Sequence, residues 1–303
     1  MKTKPILIIV SFFVTFNASS ASSGLLFDGS FSTSDTWVGQ NYFNSAYGTG
    51  NNACLPRPNS LQVVTDPDNV MGLVAKVTLI DDDFCQSGVD RERARLTYHA
   101  ANIGSNKEYD EVWVSWSLKL DNTWSDTTSP WYAFTSFSSP HFYVNGGRHG
   151  EFGISMGSSG VATRTIKYQF HAVHGPNPSN SYHEMFPLQL GEWYHFLMHV
   201  KFAKNNTGFY KFFSKTGNQP EYQLINEEYN RPTQMTIPNP NYPNPNYSDE
   251  GINFKQSIYR SAVSTSTSIV YYSGYKIGLN RSDVVSSTVI DVISASGFEA
   301  LKK

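Results

Sequence analysis

Charge is scarce in this chain of 303 residues: only 16% are Asp, Glu, Lys or Arg, and the formal net charge is −2. A general binder of nucleic acid or of anionic membrane surfaces is not expected, because both partners are held by a cationic excess. Cysteine is scarcer still, with Cys54 and Cys85 alone. Two thiols without a C-x-x-C spacing do not make a zinc site. Long apolar runs are missing after the first residues, so no membrane span is expected. A long amphipathic helical period is missing too. Disorder is excluded by an apolar content of 39% with so little net charge. What the chain has in plenty is aromatic: 18 Tyr, 20 Phe and 6 Trp, alongside 22 Gly and 15 Pro. That mixture suits pleated strands joined by many turns, and surfaces able to stack on flat faces such as sugar rings.

Residues 1–22 read as an export signal. Lys2 and Lys4 supply the positive start, Ile6 to Phe16 a short apolar run, and Ala18, Ser19, Ser20 and Ala21 the small residues of a cleavage site. The expectation is a secreted protein, extracellular or periplasmic. Export permits a disulfide, and Cys54–Cys85 is the one intramolecular pairing these cysteines offer. It would close a loop of about 30 residues and contribute roughly 3–4 kcal/mol in the chain-entropy picture.

The rest alternates with period two. Ala75, Val77 and Leu79 oppose Lys76 and Thr78; Val112, Val114, Trp116, Leu118 and Leu120 oppose Ser115, Ser117 and Lys119. Ile166, Tyr168, Phe170 and Ala172 oppose Lys167, Gln169 and His171, and similar runs follow at 196–202, 209–213, 254–260, 269–272 and 275–279. Strands broken by Gly, Asn, Pro and Ser turns predict an all-β protein of two packed antiparallel sheets. The Pro- and Asn-rich stretch 237–251 predicts a long surface loop, because proline cannot sit in a central strand.

Three constellations carry candidate chemistry. Arg91, Arg93 and Arg95 fall on one face of a strand whose other face is Ala94, Leu96 and Tyr98. Guanidinium groups side by side repel one another unless anions answer them, either nearby acids or a bound polyanion with carboxylate or sulfate groups. Gln169 and His171 share a non-core face, pairing an amide donor with a proton acceptor. His141, in Ser139-Pro140-His141-Phe142, is a competing imidazole. Lys255, Ser257 and Tyr259 share a third face, and a lysine near a phenol favours the phenolate. His195 and His199 are expected to be structural, and His149, His174 and His183 fall in loop-like sequence. Asp81, Asp82 and Asp83 offer either a calcium site or a solvated turn.

Three passages carry a family likeness. Phe254-Lys255-Gln256-Ser257-Ile258-Tyr259-Arg260, the stretch Gly191-Glu192-Trp193-Tyr194-His195-Phe196 continuing through His199-Val200-Lys201-Phe202 to Thr207-Gly208-Phe209, and Arg93-Ala94-Arg95-Leu96 resemble motifs of the jelly-roll polysaccharide lyases. Heparin-lyase-like and glucuronan-lyase-like members are nearest, and alginate lyases more distant. The resemblance implies a β-jelly roll with a concave substrate groove, a single such domain over residues 23–303. It implies action on glucuronan, ulvan, alginate or a heparin-type chain; a monomer is expected, with no nucleic-acid or membrane partner. The family's catalytic tyrosine falls on Tyr259, its strand lysine on Lys255 and its substrate-binding arginine on Arg93. Its Q-x-H histidine falls on His171 by spelling and on His141 by strand order. Ser257 stands where the family has glycine, and Arg95 where it has an acid.

The activity implied is β-elimination. Arg93, with Arg91, Arg95 or Gln169, neutralises the uronate carboxylate; His171 or His141 removes the C5 proton; Tyr259 protonates the leaving oxygen; Lys255 and Arg260 tune the site. The scheme requires no metal or organic cofactor. Two rivals stand beside it. A retaining glycoside hydrolase needs two carboxylates about 5 Å apart, and no E-x-D-x-x-E pattern is found. A non-catalytic carbohydrate-binding β-sandwich needs the aromatics but not the convergence of Arg, His and Tyr.

Overall fold

The computed structural model describes residues 24–31, 60–80, 91–124, 131–138, 152–157, 167–172, 181–187, 189–217, 219–234, 251–261 and 266–285. The strands in chain order are β1 (Leu25–Asp28), β2 (Leu61–Thr65), β3 (Leu73–Leu79), β4 (Arg91–Ala100), β5 (Glu111–Leu120), β6 (Trp131–Ser138), β7 (Phe152–Gly157) and β8 (Lys167–Ala172). They continue as β9 (Ser181–Pro187), β10 (Tyr194–Lys201), β11 (Gly208–Thr216), β12 (Gln223–Arg231), β13 (Ile252–Ser261), β14 (Ser268–Tyr272) and β15 (Lys276–Gly278), followed by one helical turn, α1 (Arg281–Val284).

Two antiparallel sheets face each other, as the period-two pattern predicts for a β-jelly roll. One runs β12-β11-β10-β5-β14-β3-β2, with β15 also on β5 and β1 on β15; the other runs β4-β13-β6-β7-β8-β9. The apolar set of each strand points between them. Val114, Trp116, Phe196, Met198, Phe212 and Val270 come from the first sheet, and Leu96, Phe137, Ile154, Phe254 and Ile258 from the second, all nearly inaccessible to solvent. Aromatic rings interlock across the gap. Trp116 meets Phe137 edge-on at 5.2 Å, and Phe152 meets Tyr210 at 5.2 Å. Such rings each bury a large apolar area and add an orientation preference that a purely aliphatic core lacks.

The outer face of β5 departs from expectation. Ser115, Ser117 and Lys119 lie on the polar side of that strand, yet all three are buried. The cause is a cover over the central strand. The Ser115 hydroxyl donates to the Val284 carbonyl of α1 at 2.8 Å. The Lys119 ammonium donates to Asp66 and Asp68, each at 2.6 Å, and lies 5.1 Å from the centres of both the Trp193 and Tyr271 rings. Burial alone would raise the Asp66 carboxyl, but hydrogen bonds from Lys119, Met71, Val70 and Trp193 together hold it below the ordinary carboxylate range. A buried lysine is tolerable here because it is paired and ring-stacked.

The six-stranded sheet contains two successive irregularities that set up its outer face. Between Gln256 and Tyr259, β13 spends three steps where β6 spends two, Thr135 to Ala133. Over the same stretch β6 spends two steps where β7 spends one, Ile154 to Ser155. Each is a bulge: an extra residue that bends the strand, increases the local twist and leaves backbone groups without a ladder partner. A tyrosine from the opposite sheet answers them. The Tyr272 hydroxyl donates to the Ser257 carbonyl at 2.6 Å and lies 3.1 Å from the Phe134 carbonyl. The Tyr275 hydroxyl reaches the Lys255 carbonyl at 2.9 Å. Complete burial pushes the Tyr272 phenol well above its ordinary value, which favours the protonated form that donates.

Two outcomes follow for stability. Tyr272→Phe removes the donor but keeps the ring, leaving the buried Ser257 carbonyl without this partner at the bulge. It is expected to lower unfolding free energy by about 1–3 kcal/mol in denaturant titrations; an unchanged midpoint would show that the bulge does not depend on it. Lys119→Met leaves the Asp66 charge buried and unpaired, and the expected loss is larger, about 3–5 kcal/mol.

Candidate active site

The outer face of the six-stranded sheet gathers most of the residues singled out in the sequence. Direct ladder partners in a sheet share a face, so rows can be followed across it. One row runs Arg93–Tyr259–Ala133–Ser155–Gln169–Glu184. A second runs Thr97–Lys255–Ser136–Gly153–His171–Tyr182. Arg91 pairs with Ser261 and Arg95 with Ser257 on the same face. Arg93 and Tyr259 are therefore immediate cross-strand neighbours, and Gln169 and His171 lie on the same surface three strands away.

The two bulges draw these rows together. The rows are four residues apart on β13, three on β6 and two on β7 and β8. At about 3.3 Å per residue, the separation shrinks from roughly 13 Å at the Tyr259 end to roughly 7 Å at the His171 end. Without the bulges, His171 would sit a further two residues along the sheet from Tyr259.

The floor between the two walls is small. β6 and β7 contribute Ala133, Ser136, Gly153 and Ser155 to this face. From β13 to β8 is three strand spacings, about 14 Å. Tyr259 and Lys255 take positions on one side of this stretch of sheet, and Gln169 and His171 take register positions on the other. A sugar ring fits between a phenol and an imidazole only where no bulky side chain fills the middle. Tyr259 itself is 7% exposed, so little water reaches it.

The charges of the face are one-sided. Arg91, Arg93 and Arg95 from β4, Lys255 from β13 and Lys167 from β8 are on it, and among the described residues Glu184 is its one carboxylate. A net-negative chain thus places several cationic positions on one face of one sheet by register. A lone carboxylate on this face does not supply the pair that a retaining hydrolase requires.

Several expectations are corrected. Arg260 is not on the substrate face. It is fully buried on the core side, where its guanidinium donates to the Ser266 carbonyl and the Ser268 hydroxyl, both at 2.7 Å, and its ladder partner on β4 is Glu92. Strand alternation requires this, because Arg260 directly follows Tyr259. Lys255 does not adjoin Tyr259 either: four residues of strand put it about 13 Å away, and the cationic position beside Tyr259 is Arg93. His183 is in β9 rather than a loop, opposite Phe170.

Three further histidines are among the described residues. His99 ends the arginine face of β4, with Nδ1 2.9 Å from the Asn253 side-chain oxygen. His195 and His199 belong to the other sheet. The Ser117 hydroxyl is 2.7 Å from His195 Nδ1; burial, then Lys215, pushes this imidazole down to about 4. His199 stacks on Trp113 at 4.2 Å and pairs with Glu111 at 2.9 Å. His141, His149, His174, residues 237–250, Cys54, Cys85 and Asp81 to Asp83 lie outside the described residues, as do residues 1–22. Sequence reasoning missed Tyr182, Glu184 and the small floor residues. A glycine-bounded β7 and an edge strand β9 carry too few alternating apolar residues to announce themselves.

Comparison with known proteins bears on this arrangement. The polysaccharide lyase family matches residues 30–276. No curated protein matches the chain significantly. Among solved structures the chain is similar to the endo-β-1,4-glucuronan lyase of the fungus Trichoderma reesei. The TM-score is 0.51 at 16% identity, covering 74% of this chain and 88% of that one. It is also similar to the marine PL-14 alginate lyase of Aplysia kurodai, at 9% identity and a TM-score of 0.46, covering 73% and 87%. At such identities a likeness speaks for the fold alone. The family match, by contrast, runs from just before the first core aromatic to the last strand of the sandwich, and on it the chain belongs to the polysaccharide lyase family.

Proposed function

We propose that this lyase cleaves a uronate-containing, anionic polysaccharide by β-elimination, leaving an unsaturated uronate at the new end. The observation that carries the reading is the ladder pairing of Arg93 with Tyr259 on a face where cations far outnumber carboxylates. Glucuronan and alginate are the substrates named for the two similar structures; both are polyuronates, which this face suits.

The chemistry follows from the residue types. A proton on C5 beside an ionised carboxylate is very weakly acidic, since its removal adds a second negative charge to the same group. Arg93, aided by Gln169, offsets the first charge with forked donors, so the developing enolate-like anion is stabilised where it forms. His171 takes the C5 proton. The C5–H electron pair becomes the C4=C5 double bond, and the C4–O4 bond breaks. The Tyr259 hydroxyl gives its proton to O4, and proton exchange with water restores both groups. Atoms and charge balance with the polymer alone. Lys255, in the row of His171, is the candidate contact for the neighbouring sugar's carboxylate. The export signal at residues 1–22 and a Cys54–Cys85 bridge fit an enzyme working on polymers outside the cell.

The test is a panel of uronate polymers followed by ultraviolet absorbance, since the product's C=C is conjugated to its carboxylate. At least one polymer is expected to give a rise. Tyr259→Phe is expected to retain binding while losing about 10²–10⁴-fold in kcat, and full activity in it would overturn the assignment of the acid. Arg93→Ala is expected to cost about 10²–10³-fold in kcat/KM, as for loss of one anion-stabilising donor. Arg93→Lys should recover only part, because an ammonium lacks the planar fork.

A further inference from the structure

The far end of the β4–β13 strand pair carries a joined polar couple. His99 and Asn253 are ladder partners, and His99 Nδ1 lies 2.9 Å from Asn253 Oδ1. Their chain neighbours turn the other way: Tyr98 stacks on Phe27 at 3.6 Å, and Phe254 is fully buried in the core. By alternation His99 and Asn253 stand on the face of Thr97, Lys255 and Tyr259. Asn253 is six residues along β13 from Tyr259, about 20 Å of extended chain. Between them on that strand the face holds Ser257, which is buried, and Lys255, which is half-buried. The ladder partners of Lys255 on either side, Thr97 and Ser136, are small and buried as well. His99 itself is exposed.

The bond within the couple fixes what it offers a ligand. With the amide oxygen accepting, the imidazole donates from Nδ1–H, which leaves Nε2 as an acceptor and the amide NH2 as a donor. With the amide turned over, its NH2 donates to Nδ1, which leaves Nε2–H as a donor and the amide oxygen as an acceptor. Either way the neutral couple presents a donor and an acceptor side by side. An ionised carboxylate or sulfate only accepts, and an acylated sugar oxygen has lost its proton. A free sugar hydroxyl both donates and accepts. Resting on the reading of this face as the substrate surface, we infer that His99 and Asn253 form a distal subsite that reads free hydroxyls on a sugar several units from the bond cleaved. The couple thereby selects a polyuronate with unsubstituted ring hydroxyls over an O-acetylated or O-sulfated one, while Lys255 meets the acid groups.

The experiment measures kcat and KM of the full-length enzyme on its best uronate polymer and on the same polymer O-acetylated. It compares the parent with His99→Ala, Asn253→Ala and the double variant. On the free polymer each single variant is expected to raise KM about two- to tenfold, as for loss of one hydrogen bond, with kcat held. The double variant should lose little more than the worse single, because the two side chains act as one unit. On the acetylated polymer the parent and the variants should agree. An unmoved KM on the free polymer, or an equal rise on both polymers as a purely structural role would give, overturns the inference and leaves the uronate reading standing. A parent enzyme giving no ultraviolet rise on any uronate polymer removes that reading, and this inference with it.

Discussion

One buried hydroxyl holds the working surface in shape. Where β13, β6 and β7 fall out of step, carbonyls of Ser257 and Phe134 turn away from the ladder, and Tyr272 from the opposite sheet meets them from below. Bulges of this kind are costly unless the freed backbone groups are answered. Here the answer comes from a residue that is also part of the hydrophobic core. The proposed catalytic face is thereby tied to the packing between the sheets. The two bulges reduce the row separation from four residues to two, which brings the histidine row toward the tyrosine row. The core, the bulge and the site are one mechanical unit.

The same sandwich treats its two outer faces differently. On the nine-stranded side the charge is internalised: Lys119 is enclosed by Asp66, Asp68, Trp193 and Tyr271, and Asp121 accepts from the Tyr271 hydroxyl at 2.8 Å. Those groups spend their electrostatics on one another and fix the turn between β2 and β3. On the six-stranded side Arg91, Arg93, Arg95, Lys167 and Lys255 take positions on the same face as Glu184 by register. By family membership the enzyme is a polysaccharide lyase, and the face proposed to meet its substrate is the sheet with the bulges.

Much of this was legible in the residues. Period-two alternation marked nearly every long strand and placed Arg91, Arg93 and Arg95, Gln169 and His171, and Lys255 and Tyr259 on non-core faces. Alternation says which side a residue takes, however, and not which strand lies beside it. That Arg93 would meet Tyr259 is a matter of register between segments more than 160 residues apart, and no local pattern records it. The bulges are equally silent, because an extra residue looks like any other until its partner strand is known. Arg260 shows the opposite failure: the motif drew it into the site although its parity with Tyr259 already sent it to the core. Lys255 was taken for a neighbour of the phenol because both share a face, although four residues of extended chain separate them. Ala133, Gly153 and Ser155 carry no chemistry of their own, and their contribution, an open floor, exists only between walls built by other strands.

The central claim is that one face of one sheet brings a cationic position, a phenol and an imidazole around a single sugar. A crystal structure of Tyr259→Phe with a uronate oligosaccharide tests it most directly. The account predicts a ring lying over Ala133 and Gly153, its carboxylate against Arg93 and its C5–H toward His171. An oligosaccharide bound with full occupancy on the nine-stranded sheet, or on this sheet with its carboxylate away from Arg93, would contradict it.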